Sequence, residues 1–501
     1  MEQVKDIYWR AQKSQQLKDI IAACAGLWFE SYAEKPTYAV GESLKISSQV
    51  IKRSDALVSR ISANSGSRVS PGISGNEPIE SNKLITLDLE PQPGGNTSVT
   101  PALSQPYWLA ATHGIGMYTL PIDTLAGYAE NPDAPKTTFT FTIDNKRISY
   151  QREIVYKYTD PVRGEVYQPL EITPPVTANM ENPVYLFSSQ KAQIVHVKLK
   201  SFITGPGSVS IKPVAGWDIS PAEIDFTKTK GDEWTVVFTV TPTNSNPGSG
   251  VLEAAVDVNG KTYLLGLQRI RYEHIPNITL FPPAQAKLVY VSLETAGKTI
   301  GYIPGAGDKI PEALRQLGYT VNVLTEDQLL NGDLSVYSAI VTGIRAYNVN
   351  ERLAYEQPAL LEYVKNGGNL VVQYNNPGKL VTNALGPYPF NPVNQRVTEE
   401  DAKVTITEPN SPVLNYPNKI TDTDFSGWVQ ERGLYFADNI DLKYSTPLLM
   451  NDTGQSPDKG SLLVADYGKG RFVYTSLAFF RQLPAGVPGA FRLFVNLLSK
   501  K

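Results

Sequence analysis

The sequence predicts a multidomain, β-rich protein: an N-terminal helix, two antiparallel β-sandwich domains and a C-terminal α/β domain on a mainly parallel sheet. Three observations predict it. The length of 501 residues is about three times that of an ordinary domain. Runs with a period of two residues, punctuated by Gly, Pro and Asn turns, fill the chain between residues 34 and 284. From residue 285 onward, short apolar strands alternate with helical segments, the grammar of βαβ units. The expected boundaries are therefore 1–33 for a linking helix, 34–168 and 169–284 for the sandwiches, and 285–501 for the α/β domain.

The helix is read over residues 4–29, where Leu17, Ile20, Ile21, Cys24, Leu27 and Trp28 recur at three- and four-residue intervals among Lys, Gln and Asp. Residues 17–28 of that stripe are expected to dock, leaving Ile7, Tyr8 and Trp9 exposed for another domain. After Pro36 the period changes to that of a strand at residues 43–47. Residues 62–95 are rich in Ser, Gly, Asn and Pro around a short strand at 84–89, and residues 137–143 and 147–158 form a hairpin about Asp144-Asn145. Pro169 to Pro175 opens the second sandwich. Its short strands at 194–199, 208–213, 234–240 and 252–258, with a turn at Asn259-Gly260, suggest an immunoglobulin-like type. Trp217 and Trp234 occupy strand positions expected to fill its interior. The strands at 299–303, 319–324, 339–343 and 369–374 then alternate with helices, one of them over residues 352–365.

Composition excludes several functions. Lys plus Arg number 46 against 49 Asp plus Glu, a net charge of −3 with no basic stripe, so no nucleic-acid partner is expected. The single cysteine, Cys24, rules out an intrachain disulfide and a thiolate zinc cluster. The longest apolar run, residues 20–29, is about half the roughly 20 residues of a membrane span. The N-terminus lacks the order of a secretory signal, so the protein is cytoplasmic or its natural start lies upstream. A hydrolytic metal site needs about three converging ligands. His113, His196 and His274 are scattered, and no cofactor or metal is expected in this chain.

No nucleophile elbow is present; the nearest string, Gly72-Ile73-Ser74-Gly75, lies in a loop. Gly305-Ala306-Gly307-Asp308-Lys309 follows a strand and opens a helix, yet lacks the third glycine or Gly-Lys-Ser/Thr of a nucleotide loop, and reads as a plain strand-to-helix turn. Polar residues beyond the carboxyl ends of the parallel strands are more informative. Arg345, Tyr347 and Asn348 follow one strand, and Tyr374 and Asn375 follow another. Glu431, Arg432 and Arg481 lie among aromatics further on. These eight are the expected binding residues, with a buried salt-bridge network as the equal alternative and no residue assigned to catalysis.

The stretches Gly343-Ile344-Arg345-Ala346-Tyr347-Asn348, Gly367-Gly368-Asn369-Leu370-Val371-Val372-Gln373-Tyr374, Arg396-Val397-Thr398-Glu399-Glu400 and Gly427-Trp428-Val429-Gln430-Glu431-Arg432-Gly433 resemble the C-terminal part of large bacterial PIG-L (LmbE-like) deacetylases. So does the closing stretch from Phe479-Phe480-Arg481-Gln482 onward. Gly216-Trp217-Asp218 lies in a middle sandwich similar to those appended to α-galactosidases, and the last domain resembles the flavodoxin-like fold of class I glutamine amidotransferases. There a cysteine follows the central strand; here the turn is Asn375-Asn376-Pro377. The family's zinc motif, His-Pro-Asp-Asp, matches no position of this chain. The resemblance thus implies a non-catalytic, carbohydrate-associated accessory region. Its partners would be an upstream deacetylase domain of the same polypeptide, which alone holds zinc, and glycans, in the periplasm or outside the cell. Two other classes fit the residues: an independent glycan-binding module drawing on 27 Tyr and 6 Trp, and an enzyme with a pocket in the α/β domain.

Overall fold

The computed structural model describes residues 3–66, 68–70, 78–91, 103–111, 117–120, 123–131 and 134–500; the Gly72-Ile73-Ser74-Gly75 string and His113 lie outside them. The chain folds as a multidomain, β-rich protein.

The N-terminal helix runs Ile7–Cys24, with Asp6 Oδ1 accepting from Trp9 N at 2.9 Å as its cap. It ends earlier than its apolar spacing predicts. Gly26 turns the chain at φ +60°, where a Cβ would lie 2.8 Å from Ser54 N, and Leu27–Ala33 then alternates buried and half-buried as a strand. Leu27 and Phe29 are therefore buried as strand residues, while Leu17 and Ile20 on the helix are 46% and 59% exposed. The expected docking from Leu17 onward is met only in part: Ile21 and Ala22 pack on the first core while Leu17 and Ile20 stay exposed, because the stripe joined residues from two elements of different period.

Leu27–Ala33 pairs antiparallel with Ile46–Lys52 and parallel with Lys146–Asp160 inside a nine-stranded sheet, so the first boundary falls before this strand and not at residue 33. Lys146–Asp160 serves two halves of that sheet. Its first part pairs with Lys136–Ile143 across Asp144 and Asn145, both at positive φ, and its second part with Leu27–Ala33 and Gly164–Pro169. The halves close on one core. Phe29 meets Phe139, Phe141 and Tyr150 there at centroid distances of 5.1, 5.1 and 5.2 Å. The parallel pair is the departure from a purely antiparallel sandwich.

The second unit consists of two sheets. One runs Val176–Met180, Gln193–Ser201, Glu233–Pro242, Trp217–Ser220; the other runs Val184–Phe187, Gln285–Tyr290, Gly250–Val258, Gly205–Ile211, Glu223–Lys228. Alternation brings Val195, Val197 and Phe238 of the first into one core with Val209, Leu252 and Val256 of the second. Trp217 is buried in it and Trp234 half-buried at its margin, as their strand positions predict. Gln285–Tyr290 belongs to this sandwich, not to a domain beginning at residue 285. Its largely alternating burial is that of a one-sided strand, and it pairs parallel with Val184–Phe187 and antiparallel with Gly250–Val258.

The C-terminal sheet has six strands: β1 (Thr299–Ile303), β2 (Thr320–Val323), β3 (Ala339–Thr342), β4 (Asn369–Gln373), β5 (Leu462–Tyr467) and β6 (Gly470–Thr475). Their order is β2-β1-β3-β4-β6-β5, parallel throughout except for the β5–β6 hairpin. Every residue of β3 and β4 is buried, as a strand covered on both faces requires. Ile340, Leu370, Val372 and Tyr474 share a core with helix Leu353–Lys365, while Val341, Val371 and Val473 share another with helix Pro488–Leu498. Val184, Leu186 and Val289 of the sandwich enter the latter core. Leu186 N donates to Gln316 Oε1 at 2.9 Å beside them, fastening the junction.

Candidate functional site

Open parallel sheets bind ligands beyond the carboxyl ends of their strands, where the strand order reverses. In this sheet the reversal lies between β1 and β3. The loop after β1 is closed by its own groups. The Asp308 carboxylate accepts from Tyr302 Oη at 2.8 Å and from Ile310 N and Ile344 N at 3.0 Å, and Ala306 N donates to Ile344 O at 2.8 Å. A Cβ on Gly305 would stand 2.1 Å from Ile344 O. The glycine string is a turn locked onto the loop after β3, as its missing residues indicated.

Beyond that lock, the loops after β3 and β4 and three later segments meet. Arg345 N donates to Tyr374 O at 2.8 Å. The Tyr374 ring stacks on Tyr435 (5.7 Å, 22°) and leans on Phe480 (5.3 Å, 48°). Two guanidiniums lie against these rings, Arg396 at 5.8 Å from the Tyr435 centroid and Arg481 at 4.8 Å from that of Phe480, and Arg345 is tied to Tyr374 through its backbone. Burial pushes Tyr374 up to about 12 against the pull of Arg345 and Arg481, so it stays a neutral phenol at physiological pH. Arg481 is held in place, its Nε donating to Glu431 Oε1 at 2.7 Å and its Nη1 to Gln430 Oε1. Arg345 is not: its Nε is buried with no hydrogen-bond partner. Tyr435, Phe480, Arg345 and Arg481 are half-buried and Arg396 is exposed, so the cluster faces solvent.

Eight non-glycine residues have positive φ among the described residues. Five are Asn or Asp, which tolerate the left-handed region. The other three, Arg345 (+55°), Gln430 (+68°) and Tyr435 (+58°), all stand in this cluster. Each costs roughly 1–2 kcal/mol, and strain held in place by its surroundings concentrates at functional sites. Arg345→Gly is expected to raise stability by about 1 kcal/mol, because losing the strain and an unpartnered Nε outweighs glycine's extra freedom in the unfolded chain. A urea midpoint that falls instead would show the turn to be unstrained.

Of the eight residues singled out from the sequence, Arg345, Tyr374, Glu431 and Arg481 meet here. The other four are engaged in the frame. Tyr347 is fully buried, donating its hydroxyl to Gln357 Oε1 and its N to Asn375 Oδ1. Asn348 Nδ2 donates to the carbonyls of Asn376 and Lys379, and Asn375 Nδ2 to Gln373 O. Arg432 is buried, donates Nε to Ala402 O and Nη1 to Phe425 O, and has its pKa lowered by burial. Arg396, Gln430, Tyr435 and Phe480 complete the cluster and were not among the eight. For Gln430 and Tyr435 the sign is a backbone angle, which no residue pattern encodes; Arg396 and Phe480 stand inside the resembling motifs, next to residues that were chosen.

Elsewhere, His196 Nδ1 engages Glu181 Oε2 at 2.8 Å and His274 packs on the Tyr272 ring. Among the described residues no three His, Cys, Asp or Glu side chains converge as metal ligands, and no helix is long and apolar enough to cross a membrane. A depression of about 530 Å³ lies toward the amino ends of the strands, beside Asp466 and Arg471. Arg471 is committed there to the frame, donating to Asn369 Oδ1 and Leu497 O, and the arginine cluster is the candidate site.

No protein-family model matches the chain and no curated protein matches it. Among solved structures it is similar to a β-galactosidase from Rahnella sp. R3 (15% identity over 41% of this chain and 32% of that one, TM-score 0.25). It is also similar to the exo-β-1,4-mannosidase Op5Man5 from Opitutaceae bacterium strain TAV5 (16% identity, 42% and 37%, TM-score 0.26) and to fibronectin(III)-like modules of Clostridium thermocellum CbhA (8% identity, 54% and 97%, TM-score 0.14). The chain spans about a third of the length of the first two. Scores of this size carry no argument about fold or function.

Proposed function

We propose that this chain is a non-catalytic, carbohydrate-associated accessory region of a zinc-dependent PIG-L (LmbE-like) deacetylase of N-acetylated sugars. In this reading its last domain is a flavodoxin-like, class I glutamine amidotransferase-like fold that binds a ligand without transforming it. The turn after β4 carries the reading. Where an amidotransferase places its thiolate, Asn375 is fully buried and both ends of its amide are occupied, Oδ1 by Tyr347 N and Nδ2 by Gln373 O. An amide so placed offers neither nucleophile nor base. Beside it, half-buried rings and arginines offer a binding surface. The resemblance of the C-terminal motifs supports the family, and with it an upstream zinc domain as partner and a site of action outside the cytoplasm.

Calorimetric titration with a panel of bacterial and host glycans is expected to give binding that Tyr435→Asn removes, with no turnover of an N-acetylglucosamine substrate when zinc is supplied. Turnover would make the chain an enzyme in its own right. Silence across the panel would remove the carbohydrate role.

A further inference from the structure

The arginine cluster has a composition that a neutral sugar does not require. Uncharged sugars are held by rings and by paired carboxylates and amides; here the guanidiniums of Arg396 and Arg481 lie against Tyr435 and Phe480, and Arg345 is bonded through its backbone to Tyr374. The acids named beside the cluster are engaged: Glu431 by Arg481, Glu400, whose carboxylate accepts from Gln430 N, and Asp308 by Tyr302 and Ile344 N. Arg345 and Arg396 have no such partner among the described residues. Arg345 Nε is buried and unsatisfied, an arrangement that costs about 1–3 kcal/mol unless something completes it. Arg396 and Arg481 lie against aromatic rings, contacts that limit side-chain freedom before any ligand arrives. Three left-handed residues fix the loops that carry Arg345, Gln430 and Tyr435. Frames of this kind match planar or tetrahedral oxyanions, which a guanidinium grips with two parallel N–H donors where an ammonium offers a point charge.

We propose that the carboxyl end of the parallel sheet is a binding site for an acidic glycan, one whose sugar carries a carboxylate or sulfate, with Arg345 and Arg396 as the residues that grip the oxyanion and Arg481 as their neighbour held by Glu431. The inference rests on the glycan-binding reading above and names the ligand's charge, which that reading leaves open.

The test is titration calorimetry of the full chain with three probes: an oligogalacturonate, a chondroitin sulfate oligosaccharide and a cello-oligosaccharide. At least one acidic probe is expected to bind ten times or more tighter than the neutral one, with affinity falling as salt is raised. Arg345→Asn, which keeps a residue tolerant of the left-handed turn, and Arg396→Gln, at an exposed position, are each expected to weaken the acidic probe fivefold or more, a larger fall than for the neutral probe; a thermal melt checks that both fold. Which acidic probe wins separates carboxylate from sulfate. Equal affinity for acidic and neutral probes overturns this inference while the glycan-binding reading stands. Acidic binding that survives Arg345→Asn and Arg396→Gln together overturns it as well, by placing the site elsewhere. No binding of any of the three overturns this inference, and the wider panel above then decides the glycan-binding reading.

Discussion

Glu171→Ala is expected to lower stability by about 3 kcal/mol, the low end of the cost of breaking one partner of a buried ion pair. The Glu171 side chain is 13% exposed and accepts four hydrogen bonds: from Arg269 Nε at 2.8 Å and Nη2 at 2.6 Å, from Thr279 Oγ1 at 2.6 Å and from Thr37 Oγ1 at 2.8 Å. Glu171–Thr173 pairs parallel with Thr37–Ala39, while Arg269 and Thr279 sit on the ribbon of Gln268–Ile270 and Ile278–Leu280. One carboxylate thus ties the first sandwich to the far end of the second. Removing it leaves Arg269, only 20% exposed, without its bonded counter-charge. Arg269→Ala is expected to cost a similar amount, and the double variant roughly 2 kcal/mol less than the sum; strict additivity in urea melts would deny the coupling. Burial alone would raise the Glu171 pKa, but the bonds from Arg269 and Thr279 prevail and hold it below the ordinary carboxylate value. The folded chain therefore favours the ionised form. Its contribution is full above the unfolded value of about 4.3 and is lost as pH falls through the lower folded value. Glu171→Gln is expected to flatten that acid limb.

Glu356→Leu is expected to act in the other direction, raising stability by about 2–4 kcal/mol. Glu356 is fully buried, and neither carboxyl oxygen has a hydrogen-bond partner. It lies in the first turn of helix Leu353–Lys365, between Leu353 and Leu360, which are core residues. Two effects favour the charge: the helix N-terminus, at about 0.3–1 kcal/mol, and the positive field of Arg352. They are smaller than the roughly 1–3 kcal/mol for an unsatisfied buried group and the further 1.5–3 kcal/mol that a buried leucine contributes. Burial raises the Glu356 pKa, so the folded chain holds this proton at a pH where the unfolded chain has released it. The penalty is absent below about 4.3 and grows as pH rises toward the raised folded value. Urea midpoints at pH 4 and pH 7 should show a larger gain for the leucine variant at pH 7. An equal gain at both would mean that packing alone accounts for it.

Elements with a clean period were readable from the chain. The hairpin about Asp144-Asn145, the strands of the second sandwich and the βαβ series each carried a period and a turn signal, and each formed. Reading failed where two elements of different period abut without a breaker strong enough to see. The apolar residues of Leu27–Ala33 continued a helical spacing by coincidence, and a single glycine, Gly26, divides them from the helix. Gln285–Tyr290 was assigned to the wrong neighbour because the pairing that decides its sheet is made with Val184–Phe187, about a hundred residues away. Half of the candidate site was legible, since Arg345, Tyr374, Glu431 and Arg481 stand at strand ends or among aromatics. The strained angles at Gln430 and Tyr435 come from tertiary packing, and Asp308 became a lock only once the loops after β1 and β3 were side by side.

The order of the strands also sets a timetable for synthesis. β4 finds its neighbour β6 only when Asn369 meets Arg471, 102 residues later. Both sandwiches are complete once Tyr290 has left the ribosome, and β1 to β4 can then begin to assemble, but one edge of β4 stays bare until β6 has been made. That edge carries Leu370, Val371 and Val372, all wholly buried in the finished protein. Unpaired apolar edges are where nascent chains join one another, and closing so long a loop delays the pairing that would cover this one. The hairpin of β5 and β6 is thus the late-arriving cover of that edge.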